Sequence, residues 1–271
     1  LIEQMRYDFV KKGIILNYNR GGEKREKSIS RARNIGAAQA KGEIILFLDD
    51  DVILDKQYIE EIINVYKKHP NAVGVQGYIT NWRNVSSARA LLSNLIDRAF
   101  FLFHTEKDRC RILPSGNITY PHPLSRVIGC EWLSGTNSSY KRDMFRRFKF
   151  DQKLKEYSFC EDADLSIRIR KEYPDSLYIT PHAKILHKAS PVARRDNRRL
   201  VHIRTAYQTY FFYKNIEQTW LNKVIFLWSM FSRLITMLTE KRAKSMVFLI
   251  KSYVYTLNHF DEVVKGNFTF L

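Results

Sequence analysis

Five apolar residues followed at once by three aspartates constrain this chain more than any other segment of its sequence. Ile44–Leu48 (IILFL) shows no polar alternation, which predicts a short strand buried on both faces, as in a parallel sheet. Side chains of an extended backbone alternate between faces, so Asp49 and Asp51 would share one face and Asp50 would lie on the other. Three carboxylates this close repel one another strongly unless a cation lies among them.

Oxygen ligands at the carboxyl end of a strand suit Mg²⁺ or Mn²⁺ together with a bound diphosphate. Open α/β sheets also bind their ligands at that edge. We therefore expect Asp49 and Asp51 to hold a divalent metal. The alternative is that the aspartates cap the next helix, but Asp55 already stands where that cap is needed.

The first 190 residues alternate between strand and helix patterns. Apolar residues at helical spacing from Tyr58 to Tyr66, closed by Pro70, predict a helix between Ile44–Leu48 and a second strand at Val73–Gly77. This order predicts an α/β fold with an open sheet and right-handed crossovers. The apolar face from Ala88 to Phe103 predicts a helix that packs against the core.

A second acidic cluster, Glu161-Asp162-Ala163-Asp164, opens the helix predicted from Asp162 to Arg170. Acidic residues in a first turn offset the helix dipole, and Asp164 can pair with Arg168 one turn later, so a purely structural role is open. Beside the aspartate triplet, the cluster is also a candidate for a general base that is separate from the metal carboxylates.

Three weaker features also carry candidate chemistry. His187 ends a short predicted strand and could be a metal ligand, although most single histidines are not. Val127–Leu133 is predicted as a strand, and the turn after it, which begins at Ser134, places small polar residues beside Trp132, as in a sugar pocket or an ordinary turn. Arginines downstream suit phosphate binding or form a solvated face. They are Arg194, Arg195, Arg198, Arg199 and Arg204.

The composition is that of a globular protein of 271 residues, with 45 Lys and Arg against 28 Asp and Glu, a formal net charge of +17. Such a charge attracts anions. The three cysteines, Cys110, Cys130 and Cys160, have neither CxxC spacing nor an even count, which favours a reducing compartment. We find no signal peptide and no uninterrupted apolar run of 18 residues.

From residue 191 onward the sequence becomes basic and aromatic, with helical patterns from Tyr207 to the end. We predict two parts, an α/β domain over 1–190 and a helical region over 191–271. Helices that mix apolar and basic residues suit a membrane interface, and ordinary packing helices are the alternative.

Four segments together resemble glycosyltransferase family 2, whose members have the nucleotide-sugar-binding GT-A fold. The segments are RARNIGAAQAKGEIILFLDDDV, WLSGTNSSYKRDMF, FCEDADLSIRIR and LHKASP, in the family's order and spacing, from about Gly13 to Pro191. The resemblance implies an open mixed sheet of the GT-A type, with the basic, aromatic helices as a C-terminal appendage.

The resemblance also implies roles for individual residues. Asp49 and Asp51 match a DxD motif that holds a divalent metal, Mg or Mn, on the donor diphosphate, with Asp50 in the same donor site. Asp162 matches the base that deprotonates the acceptor hydroxyl. The remaining matches are His187 as a further metal ligand, Arg33 near the nucleotide, and Trp132, Gly135, Thr136, Asn137 and Glu161 around the sugar or acceptor.

The chain departs from the family pattern at its start. Members usually begin with a strand–helix–strand unit that carries PTYNR-like and DDGS motifs and binds the nucleobase, and we do not find these motifs. We therefore expect an N-terminally truncated domain. A QxxRW motif, typical of processive members, is also absent from the sequence.

The sequence thus predicts an inverting, metal-dependent glycosyltransferase that uses a nucleotide-diphosphate sugar. Its hydroxyl acceptor could be lipid-linked or a surface glycan, which would place the protein in the cytoplasm, peripherally at the inner face of the cell membrane. The alternative is a non-catalytic module of the same fold that binds an anionic glycan or a membrane. We do not expect a nucleic-acid partner, because only the net charge supports one.

Overall fold

The computed structural model describes residues 7–19, 28–81, 88–155, 159–188, 198–239 and 243–271. After the helical residues 7–10, the helices within these ranges are α1 (Ile29–Gln39), α2 (Tyr58–Lys68), α3 (Ala88–Ala99), α4 (Met144–Arg147), α5 (Glu161–Glu172), α6 (Arg198–Asn215), α7 (Trp220–Thr239), α8 (Ala243–Asn258) and α9 (Phe260–Lys265). The strands are β1 (Ile44–Leu46), β2 (Val52–Leu54), β3 (Gly74–Ile79), β4 (His104–Glu106), β5 (Thr119–Pro121), β6 (Ile128–Gly129), β7 (Ser138–Lys141) and β8 (Leu177–His187).

The central sheet is open and mixed, with the order β1-β7-β3-β8-β2 and with β6 paired to β8. Strands β3 and β8 are parallel, whereas β7 runs antiparallel to both β1 and β3, and β2 runs antiparallel to β8. A separate pair, β4 and β5, is parallel. The predicted α/β class with an open mixed sheet and C-terminal helices is confirmed.

Strand β7 is the part of the sheet that the sequence pattern hides. Its first three residues, Ser138 to Tyr140, belong to the segment SGTNSSY that is predicted as a turn, because serine is polar and common in turns. In the fold, Ser139 is fully buried, and its hydroxyl donates to the Val75 carbonyl at 2.7 Å and lies 3.2 Å from the Tyr66 hydroxyl. These bonds satisfy the hydroxyl and make burial of a polar strand tolerable.

The strand before the aspartates differs from its prediction in partner and length. Within the described residues, β1 spans three residues and pairs only with β7, antiparallel, rather than standing inside a parallel sheet. An unbroken apolar run reports burial but carries no information on strand direction. Past β1, the Phe47 and Asp49 N–H groups donate to the carbonyls of Ser138 and Thr136, so the aspartates follow the loop that leads into β7.

Helix α3 contradicts its predicted role. Its apolar face was expected to pack against the core, yet Leu91, Leu92, Leu95 and Ile96 are all exposed. Periodicity shows that a helix has an apolar face but does not show what covers it. One strand is also shorter than predicted, because only Ile128–Gly129 of Val127–Leu133 is a strand.

The C-terminal helices pack on the α/β sheet through α6. Phe211 lies in the main core, and the buried Asp164 carboxylate of α5 accepts bonds from Lys214 at 2.7 Å and Asn215 at 3.0 Å. The boundary between 1–190 and 191–271 stays a prediction. Within the described chain, we find no helix with both the length and the apolar character needed to cross a bilayer.

Candidate active site

Two acidic residues and one histidine come together at the end of the sheet. Asp49, Asp51 and His187 each offer a ligand atom, and these atoms all lie within 4.8 Å of one another. The pairing of β2 with β8 causes this, because it sets Val52 opposite His187 and so places the preceding Asp51 beside the imidazole. The Nε2 atom of His187 lies 3.1 Å from the Asp51 carboxylate.

The donor set fits a divalent metal. Two carboxylates and an imidazole are ligands that Mn²⁺ accepts readily and Mg²⁺ can share with water and phosphate. All three side chains are half-buried, so a cation could reach them from solvent. Burial raises the pKa of the Asp49 carboxyl, as does the nearby Asp51, while Arg33 opposes the shift. Asp50 lies exposed in the turn between β1 and β2, and its predicted place in the donor site stays a prediction.

Arg33 of α1 links the acidic clusters to each other. Its guanidinium donates to the Glu161 carboxylate at 2.8 Å, to the Gly135 carbonyl at 3.0 Å and to the Asp49 carboxylate at 3.3 Å. The next residue, Asn34, anchors the helix by exchanging two 2.8 Å hydrogen bonds with the Phe150 backbone. Three sequence-distant motifs therefore meet at one arginine.

The Asp162 carboxylate is held by backbone N–H groups at the start of α5. Its Oδ2 atom accepts from the Gly135 N–H at 2.9 Å, and its Oδ1 atom accepts from the Ala163 N–H at 2.7 Å. Since Gly135 also accepts from Arg33, Asp162 is connected to Asp49 through Gly135 and Arg33. The candidate base therefore lies beside the candidate metal ligands rather than on a distant surface.

Glu161 is nearly inaccessible, with 7% of its surface exposed. Burial and the neighbouring Asp162 raise the pKa of Glu161 to about 7, against the lowering effect of the Arg33 guanidinium. The sequence predicted Glu161 near the sugar or acceptor; the structure shows it as the buried partner of Arg33 and a wall of the adjacent cleft.

The loop between β6 and β7 supports this arrangement. The Trp132 indole N–H donates to the Thr119 carbonyl at 3.0 Å, and its ring lines the cleft beside Asp162. The Thr136 carbonyl accepts the Asp49 N–H at 3.1 Å. Asn137 is fully buried beneath the loop, where its carbonyl accepts from the Tyr58 hydroxyl at 3.0 Å.

A cleft of about 380 Å³ opens beside Asp162. Aromatic side chains form much of its wall, and α6 contributes Arg204 and Gln208. Sequence reasoning named Arg204 within a basic run but missed Gln208; the four-residue spacing of the two on a predicted helix was the available signal. Arg194 and Arg195 lie outside the described residues.

A family comparison decides the chain's place. The model of the family described as Glycosyl transferase family 2 matches residues 10–147, just over half of the 271 residues. The chain belongs to glycosyl transferase family 2. The predicted family and GT-A type of sheet are confirmed, and the family 2 match contains Arg33, Asp49, Asp51 and the loop up to Asn137. It ends before Asp162 and His187.

The solved structures to which this family 2 chain is similar are distant from it in sequence. The structure of GalNAc-T7 with UDP, GalNAc and Mn²⁺ is 14% identical, with 78% of this chain and 41% of that chain covered and a TM-score of 0.49. Glucosyl-3-phosphoglycerate synthase from Mycobacterium tuberculosis, solved with Mn²⁺, UDP-glucose and phosphoglyceric acid, is 12% identical. The match covers 80% of this chain and 66% of that chain, with a TM-score of 0.47. The chain thus spans less than two thirds of either protein. No curated protein matches it.

Proposed function

We propose that this family 2 member is a metal-dependent, inverting glycosyltransferase that moves a sugar from a nucleotide-diphosphate donor to a hydroxyl acceptor. One observation carries the proposal. Arg33 contacts both Asp49 and the Gly135 carbonyl, and the Gly135 N–H holds Asp162. This brings a candidate general base and a candidate metal centre into the same site.

The metal would be held by Asp49, Asp51 and His187, whose ligand atoms are close enough to share one ion. When bound, a divalent ion neutralises the charge that develops on the departing nucleoside diphosphate. Arg33 contributes a fixed positive charge on the same side of the site, and its contacts to Glu161 and Gly135 hold it in place. This suits the predicted role of Arg33 near the nucleotide.

Asp162 is the proposed base. Both of its oxygens accept backbone N–H groups, so the carboxylate is fixed in orientation while it borders the cleft. A carboxylate in this place can accept the proton of an acceptor hydroxyl as that oxygen attacks the anomeric carbon. Attack from the face opposite the leaving diphosphate is a single displacement and inverts the configuration.

The test is to replace each acid by its amide and measure release of nucleoside diphosphate from a panel of nucleotide sugars with Mn²⁺. We expect Asp162→Asn and Asp51→Asn each to lower turnover by about 100-fold or more, since general base and metal contributions reach that size. Asp143→Asn is the matched control, because Asp143 is exposed and pairs only one helical turn away with Arg146. Undiminished turnover in both site variants would refute the assignment of these residues. A wild type without turnover on any donor of the panel would favour a non-catalytic module.

We further propose that the protein lies peripherally on the inner face of the cell membrane, where a lipid-linked acceptor could be presented. An apolar stripe on α7 is exposed, made of Trp220, Val224, Leu227, Trp228 and Phe231. The Trp228 ring packs on Phe100 at 5.1 Å, so the stripe meets the C-terminal end of α3, the helix that carries the exposed leucines. Apolar stripes on a protein of net charge +17 suit an anionic lipid surface.

A further inference from the structure

The wall of the cleft contributed by α6 has a chemical character of its own. Arg204 and Gln208 stand four residues apart on α6, so both point from the same helix face, and both line the cleft that Asp162 borders. A guanidinium offers hydrogen-bond donors and no acceptor. The Arg204 guanidinium lies 6.0 Å from the Phe159 ring, a second wall of the cleft.

Gln208 presents a donor that the protein leaves unused. The residue is 4% exposed, and its Nε2 atom has no hydrogen-bond partner among the described residues. Its Oε1 atom is occupied, since the Cys160 thiol lies 3.5 Å away. The backbone at Gly116 approaches closely, because a Cβ there would come within 3.3 Å of Nε2. A buried donor without a partner is costly, which points to a ligand that supplies an acceptor.

A second guanidinium adds positive charge behind the same wall. Arg233 of α7 donates to the Asn117 side-chain carbonyl at 3.0 Å, and Asn117 lines the cleft. The Asn117 amide group donates in turn to the Phe101 carbonyl at 2.9 Å, so its orientation is fixed. Two arginines from two different helices thus bring positive charge to this cleft, which has Asp162 as a wall.

We propose that the cleft binds an acceptor that carries an oxyanion, a phosphate or a carboxylate, in addition to its reacting hydroxyl. The oxyanion accepts hydrogen bonds from Arg204 and from Gln208 Nε2, while the hydroxyl lies at Asp162. Between them, Phe103, Trp132 and Phe159 offer apolar contact to the carbon skeleton. This assignment of acceptor class rests on the proposed transferase function.

The experiment measures binding and transfer separately, with pairs of probes of which one member carries a phosphate and the other does not. Calorimetry on the full chain compares glycerol 3-phosphate with glycerol, and a lipid arm compares dihexanoyl phosphatidylglycerol with dihexanoyl glycerol. We expect the wild type to favour the phosphate-bearing member of at least one pair by about tenfold or more, as charge-assisted hydrogen bonds do. The arm that shows the preference identifies a soluble or a lipid source.

Variants of the cleft wall formed by α6 test whether its residues cause the preference for phosphate. We expect Arg204→Met to remove it, Gln208→Leu to reduce it by about five- to tenfold, and Arg204→Lys to keep part of it. Arg199→Met is the matched control, because Arg199 is an exposed arginine on the same helix and its loss changes the net charge equally. Thermal unfolding of each variant shows whether it is folded, and Arg204→Lys serves if the methionine variant is not.

The outcomes separate this inference from the function on which it rests. No phosphate preference in either arm, or an equal loss in Arg199→Met and Arg204→Met, overturns the oxyanion site. Transfer that depends on Asp162 but shows no phosphate preference overturns the site alone. Phosphate-dependent binding that is sensitive to Arg204, without any transfer, overturns the proposed transferase and leaves an anion-binding cleft.

Discussion

Arg33 is the residue on which the candidate site depends most directly. It satisfies two carboxylates and one carbonyl at once, and two of these partners belong to segments more than 100 residues away in sequence. A planar fork of donors serves such a set far better than the single ammonium of lysine. Substitutions that displace this guanidinium or remove it should therefore change both the chemistry and the stability of the site.

Gly135→Ala tests the effect of displacing the Arg33 guanidinium. A Cβ at Gly135 would lie 2.6 Å from both terminal nitrogens of Arg33, so the guanidinium must shift away from Asp49 and Glu161. We expect turnover to fall about tenfold or more, with a stability loss of only about 1 kcal/mol because the end of a long side chain can move. Gly129→Ala is the control, since nothing lies within 4 Å of its Cβ position. Equal activity in the two variants would contradict the role of Arg33.

Arg33→Met tests the effect of removing the guanidinium, and its effect on stability should depend on pH. The pKa of Glu161 is raised by burial and by Asp162, so ionising it costs folding free energy as pH rises from its ordinary value of about 4.5 through about 7. Without Arg33 the pKa should rise further, and the charged form becomes an unpaired buried anion. We expect the variant to lose about 3 kcal/mol at pH 8 and clearly less at pH 5.5, measured by urea unfolding.

The double variant Arg33→Met with Glu161→Gln provides the check on that interpretation. Because glutamine carries no charge, the added substitution should recover most of the loss at pH 8 and remove its pH dependence. A loss that is equal at both pH values, and is not recovered by the second substitution, would mean that Arg33 acts through packing instead.

At the scale of secondary-structure elements, the contact between α5 and α6 joins the helix that carries Asp162 to the helix that forms one wall of the cleft. Asp164 is buried on α5 and accepts bonds from Arg168 on its own helix and from Lys214 and Asn215 on α6. Asp162 and Gln208 belong to the same two helices. The distance between base and proposed anion wall is therefore set by this contact.

Asp164→Asn should weaken that contact. It leaves Arg168 and Lys214 without their shared carboxylate, and breaking a buried ion pair costs about 3–5 kcal/mol. We expect a lower unfolding midpoint together with weaker acceptor binding, read as a higher acceptor KM. Asp175→Asn is a suitable control, since Asp175 lies in the exposed turn before β8. Unchanged stability would show that α6 is held by its apolar contacts alone.

At the scale of the whole molecule, charge and exposed apolar surface act together. The exposed apolar residues of α8, at 247, 250, 254 and 257, repeat at helical spacing like those of α7. None of the described helices can cross a bilayer, but apolar side chains flanked by lysines such as Lys223 and Lys251 can lie in its surface.

Vesicle co-sedimentation tests this surface. We expect the chain to bind phosphatidylglycerol vesicles at least tenfold more tightly than phosphatidylcholine vesicles at 0.1 M salt, since each basic residue near the surface contributes about 1 kcal/mol. Trp220→Ser with Leu227→Ser should lower binding to both vesicle types. Ile59→Ser on α2 is the control, because Ile59 is an equally exposed apolar residue on a different helix. Equal effects of the stripe and control variants would contradict a membrane face.

The sequence by itself determined what local chemistry and periodicity can carry: the α/β class, the helix over Tyr58–Lys68, the acidic cluster after β1 and the acidic start of α5. Family membership followed from short motifs whose residue types and order are local properties of the chain.

Tertiary structure alone decided the rest. Pairing of β2 with β8 brings His187 to Asp51. Strand β7, which begins with two serines, inserts between β1 and β3 because hydrogen bonds satisfy the buried Ser139 hydroxyl and Tyr140 packs in the core. The exposure of α3 and the unpaired donor of Gln208 likewise depend on which surfaces meet in the fold. The periodicity of a sequence does not show which surface will pack against a given helix face.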